Sequence, residues 1–292
     1  MFTTNSASEF ANGLVSGDVL LFSGTDPFDR LVQWADGSHF NHAGIWVGWQ
    51  AAEDTNDDDA FSLAAAARWT DLTYHAGLNF EMLREDVKND LLARGRLERH
   101  GTLSKVSLGA LLGLEGDEVG GGISYQQVTA MRWNDNTNPL NTEALLAHIE
   151  ARFTADPKPV FDFAHLADYA RFWINRAYNV NPPNAYAPKV TLELFELMHG
   201  KMEVEANKFI DLYKKVDPGA DDGPDRRGTT CSREVYRAFE AAGNPIDVDD
   251  GAAHLFSDLV DPAAISDWVT PSDFWRARSL QPIAHYTRPR GI

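Results

Sequence analysis

The one cysteine of this 292-residue chain, Cys231, stands in TTCSREVYRAFE, where a loop rich in Gly, Pro and Asp gives way to a helical pattern. A thiol in the first turn of a helix has its anionic form favoured by the helix dipole and by N–H groups that lack intrahelical acceptors. The same N–H groups can donate to the oxyanion that forms when an acyl carbon becomes tetrahedral. A nucleophile is one reading of this position. A small buried hydrophobe is the other, and helix position alone favours it.

A thiol nucleophile needs a base, and nine histidines compete for the role. His42 opens the apolar run HAGIWVG, where an imidazole costs burial energy unless it is hydrogen-bonded or used. His39 sits in the preceding turn and can do little more than line a groove. His148 and His165 fall on helical patterns, and His199, His254 and His285 fall near helix ends or loops, so ordinary structural roles suit all five.

These two residues need elements to hold them. Gly17 to Phe22 (GDVLLF) is a short apolar run after a turn signal, the pattern of a buried strand. Phe28 to Trp34 has near-helical apolar spacing behind a possible Asp26 cap, and Asn41 to Gly48 reads as a second buried strand, with Gly44 and Gly48 allowing a close neighbour. Thr102 to Leu108 and Tyr125 to Trp133 read as strands, and Leu78 to Leu83 as a strand or the start of the next helix. Asn141 to Phe153 carries an amphipathic stripe behind an Asn cap. Further helical patterns cover part of Phe161 to Tyr178 and Leu192 to Val216, and the helix opened by Cys231 runs to a stop at Gly243.

Composition narrows the classes. Hydrophobic residues at 43% supply a sizeable core, and the length suits one domain, 1–292, with insertions expected at 51–122 and 166–227. A net charge of -17 repels phosphate backbones and anionic lipid, so neither nucleic acid nor stable membrane insertion is expected. A single cysteine allows no intramolecular disulfide. With no basic start followed by an apolar run, the expectation is a cytoplasmic chain as synthesised, although export by a dedicated apparatus leaves no such mark. No HExxH pattern occurs, and EDTNDDDA lacks the Gly and final Glu of a calcium loop, so no metal or other cofactor is implied. Trp34, Trp46 and Trp49 flank the His42 motif, where core packing competes with lining an acyl groove.

GDVLLFSGTDPFDRLVQWADGSHFNHAGIWVG resembles the N-terminal motif of the permuted papain-like amidohydrolases (YiiX/YebB-like), the circularly permuted branch of the NlpC-type cysteine peptidases. TTCSREVYRAFEAAGNPIDV is similar to the family's Cys-Ser-Glu-Leu-Val-Tyr-Arg-Ala helix, and VTPSDFWRAR resembles the Thr-Pro-Ser-Asp segment after it. The resemblance covers roughly 15–50, 125–165 and 228–285. It implies an α+β, circularly permuted papain-like fold, an antiparallel sheet packed on helices, with the histidine strand ahead of the cysteine helix. It implies Cys231 as nucleophile, His42 as base, and a third polar residue on the strand after the histidine strand. Glu81 in LNFEML is the candidate for that place, His75 the alternative, with His100 behind it. One departure is that Arg233 separates Cys231-Ser232 from Glu234. The implied activity is hydrolysis of a peptide-like amide, with cell-wall peptides included. Lipid acyl transfer or thioester hydrolysis is the alternative, and an inactive binding module the second. The expected partner is a peptide or acyl small-molecule substrate, and the sequence leaves the oligomeric state open.

Overall fold

The computed structural model describes residues 2–4, 6–25, 29, 33, 38–51, 69–76, 89, 93, 97–100, 103–112, 125–155, 230–248 and 269–289. In chain order the elements are β1 (Phe2–Thr4), α1 (Ala7–Asn12), β2 (Val19–Ser23), β3 (His42–Ala51), β4 (Trp69–Ala76), β5 (Leu97–His100), β6 (Leu103–Ser107), α2 (Leu108–Leu111), β7 (Gln127–Trp133), α3 (Thr142–Phe153), α4 (Cys231–Ala241), α5 (Pro271–Arg276) and β8 (Leu280–Thr287). The fold is α+β. Its sheet runs β1-β8-β7-β2-β3-β4-β6-β5. All neighbours are antiparallel except β1, which lies parallel to β8.

Helices cover both faces of the sheet, and this is why β2 reads as an unbroken apolar run. Val19, Leu20, Leu21 and Phe22 are all fully buried. Leu20 and Phe22 join one core cluster with Phe10 of α1, Leu108 and Leu111 of α2, and Tyr125. Val19 and Leu21 join the other, with Leu145 and Ile149 of α3, Val235 and Phe239 of α4, and Phe274 of α5. Each such side chain contributes about 1.5–3 kcal/mol through burial, so the two layers hold β2 from both sides.

Local chemistry starts and bends the elements. Asn141 caps α3 by accepting from the Ala144 N–H at 3.1 Å, as its sequence pattern predicts. The Thr-Pro-Ser-Asp segment is the start of α5, where the Asp273 carboxylate accepts from both the N–H and the hydroxyl of Thr270. Gly48 lies where the β3–β4 register shifts, with φ at 112°, so a bulge explains this glycine. Asp18 of the Gly-Asp motif is buried, accepts from the Val15 N–H, and takes Nε and a terminal nitrogen of Arg132 on its two oxygens, tying the start of β2 to β7.

Within 51–122, β4, β5 and β6 extend the same sheet. The 166–227 segment, the helical patterns at 161–178 and 192–216, and the 78–83 strand pattern lie outside the described residues. So does most of the helical pattern at 28–34, of which Asp29 and Gln33 are described.

Candidate functional site

Cys231 is the first residue of α4, an eleven-residue helix. Thr230 caps it in extended conformation, its hydroxyl accepting from the Arg233 N–H at 3.4 Å and its carbonyl from the Glu234 N–H at 3.1 Å. Cys231 is partly buried as a residue, with Sγ 3.8 Å from the Ser232 hydroxyl. Helix α4 lies against β3 and β4 and against α3. The helix opened by Cys231 therefore rests on the strand opened by His42.

The two residues after Ser232 are buried charges. Glu234 accepts from Arg152 of α3 through both oxygens, at 2.7 and 3.2 Å, and its side chain has no exposure. The glutamate shifted by one place from the resembled motif therefore anchors α4 to α3. Lys105 of β6, also buried, reaches Glu150 of α3 and stands 4.5 Å from the centre of the Phe153 ring.

His42 is 4% exposed and begins β3. Register defines its face. His42 pairs with Phe22, Phe22 with Val128, and Val128 with Tyr286, a row whose apolar members belong to the α1 side of the core. The next row, Ala43 with Leu21, belongs to the α4 side. The imidazole stacks on Tyr125 with centroids 5.3 Å apart and planes 5° apart, and Phe22 lies 5.7 Å away at 41°. Successive side chains leave opposite faces of the sheet, so the His42 imidazole lies on the α1 face and Ala43, the next residue, on the face that α4 covers.

Around that strand start lies a buried polar cluster the sequence reading missed. The Asn41 carbonyl oxygen accepts from the Gly24 N–H at 2.8 Å, and its amide donates to Asp29 at 2.5 Å. Gln33 donates to the Gly24 carbonyl and the Ser23 hydroxyl. The Asp29 carboxylate occupies the space a Cβ on Gly24 would need, which fixes glycine there. An amide directly before the candidate base is the one sequence signal that pointed here. Beside it, Phe40 packs 5.6 Å from Trp275 of α5, which is 42% exposed, and His39 meets Phe40 edge-on. Trp46 is fully buried in the core and lines no groove.

The other candidates fall in several places. Glu81 lies outside the described residues. His75 is in β4, paired with Ser104, and His100 is in β5, paired with Leu103. His148 faces the ion pair between α3 and α4. Burial pushes its pKa down from its ordinary value, with Glu234 opposing and Arg152 and Arg237 adding to the shift. His285 of β8 has the Thr129 hydroxyl 2.9 Å from Nδ1 and the Thr287 hydroxyl 3.0 Å from Nε2, and burial lowers its pKa too. Among the described residues no group of three or more His, Cys, Asp or Glu is arranged to hold a metal ion, and no helix is long and apolar enough to cross a membrane. Compared with protein-family models and with curated proteins, the chain matches none.

Proposed function

We propose that the protein is a cysteine-dependent hydrolase on a permuted papain-like scaffold, cleaving a peptide-like amide through a thioester. The observation that carries this reading is Cys231 at the capped start of α4, with α4 resting on the strand that His42 opens. The motif resemblance supplies the pairing of roles.

In this mechanism His42 takes the thiol proton and the thiolate of Cys231 attacks the carbonyl carbon, placing the charge on oxygen. The first N–H groups of α4 donate to that oxyanion. The tetrahedral species collapses, the C–N bond breaks, and the proton on His42 passes to the leaving amine. Water, deprotonated by His42, then attacks the thioester, and the acid departs as the thiol is restored. Interception of the same thioester by a second acceptor gives acyl transfer, the alternative chemistry of the scaffold.

The test is alkylation of Cys231 by iodoacetamide at pH 6 to 7. The expected outcome is rapid labelling of the wild type and labelling slower by about tenfold or more in His42→Ala, the lower end of what a positioned base contributes being nearer a hundredfold. An inert wild-type thiol, or a rate unchanged by the substitution, overturns the enzyme reading in favour of a binding module. Thioester formation with an acyl probe, without cleavage of peptide amides, selects acyl transfer.

A further inference from the structure

The plane of a catalytic imidazole has to be fixed as well as its position, and a side chain other than a carboxylate is placed to do this. We propose that Tyr125 is a positioning residue for His42, its ring face acting as the platform that holds the imidazole plane. The proposal rests on His42 being the base.

Three aromatic rings converge at the start of β3. The His42 and Tyr125 rings are nearly parallel, with planes 5° and centroids 5.3 Å apart, the offset stack that aromatic pairs favour. Phe22 closes on both, 5.7 Å from His42 and 4.8 Å from Tyr125, each tilted. All three side chains are at least nine-tenths buried. The platform is itself anchored: the Tyr125 N–H donates to the Leu111 carbonyl at the end of α2, and the next N–H, of Gln126, donates to the Ser23 carbonyl of β2. Tyr125 is thus fixed by a helix and by the strand beside β3.

Such a stack restricts rotation of the imidazole about its Cβ–Cγ bond, because turning the ring would drive its edge into the tyrosine face. The two nitrogens remain in a plane set by Tyr125. An aromatic face also attracts the charged form of the ring, which is the form that accompanies a thiolate. The ring face does this, and the phenol oxygen is not needed.

The experiment joins a spectroscopic and a kinetic measurement on the full chain. Ring-proton NMR, with His42 assigned by its absence in His42→Gln, should place the His42 signals upfield of free imidazole through the Tyr125 ring current. Iodoacetamide labelling of Cys231 should stay within about twofold in Tyr125→Phe and fall about tenfold in Tyr125→Leu, with Tyr125→Trp restoring part of the loss. The proposal is overturned if the wild-type His42 signals show no upfield shift, a result that requires no variant to fold. It is also overturned if His42→Gln slows labelling while a folded Tyr125→Leu does not. If His42→Gln itself leaves labelling unchanged, the hydrolase reading has failed, and the ring shift still reports whether the stack exists.

Discussion

Burial leaves Glu234 with no contact to water and commits it to Arg152, while His148 stands one helical turn before that arginine on α3. Among the described residues, the buried Nε2 of His148 makes no hydrogen bond. Burial is the main cause of its lowered pKa, and the negative charge of Glu234 only partly offsets it. A folded protein with depressed histidine pKa values binds fewer protons than its unfolded chain once the pH drops below 6.5, the ordinary value for His148 and His285 alike. Stability therefore rises with pH across the window beneath 6.5 and is flat, for these groups, above it. Urea unfolding followed from pH 7.5 downward should show the midpoint falling as the pH passes below 6.5, and His148→Gln should make that fall shallower. A midpoint that rises on acidification would contradict the assignment.

At the scale of elements, α3 and α4 are joined by the charged contact between Arg152 and Glu234, three residues after Cys231. Removing one partner of a buried pair costs about 3–5 kcal/mol because the remaining charge stays desolvated. Arg152 is partly exposed at 27%, so Arg152→Leu should cost about 2–3 kcal/mol, measured by urea unfolding, and should also slow thiol labelling by loosening the helix start. A loss under about 0.5 kcal/mol would mark the pair as a surface contact. Strands β2, β3 and β7 and helices α3 and α4 were legible because each carries its own evidence: an apolar run, a cap residue, a stripe. The expected strand at Tyr125 begins at Gln127, since Tyr125 turns into the aromatic cluster ahead of the ladder. The cluster of Asp29, Gln33 and Asn41 was not legible. Polar residues in a short helical pattern and just before a strand look solvated in a sequence, and only the tertiary arrangement brings Asp29, Gln33 and Asn41 together at Gly24 and the start of β3. Glu234 was hidden for a related reason, because its partner lies 82 residues away.

For the molecule as a whole, the sheet order joins segments far apart in the chain. Strand β2 pairs with β3 nearby and with β7 about a hundred residues later, while β1 waits for β8, where Thr4 reaches His285 across 281 positions. The α+β class and the presence of both site elements could be read from the sequence, but this order could not, since no local pattern says which edge a strand will join. High contact order predicts refolding on the millisecond-to-second scale or slower, checked by stopped-flow fluorescence of the tryptophans after dilution from urea. Submillisecond recovery would contradict the described pairing. During synthesis the same wiring means that β7 emerges with β2 available on one side and nothing on the other until β8 follows. For that interval its outer edge is an open template, where intermolecular pairing competes with folding. The β7–β8 pairing, and with it the parallel β1–β8 contact, is thus a late event in the life of the chain, and yield at high expression rates should depend on how quickly β8 closes the β7 edge.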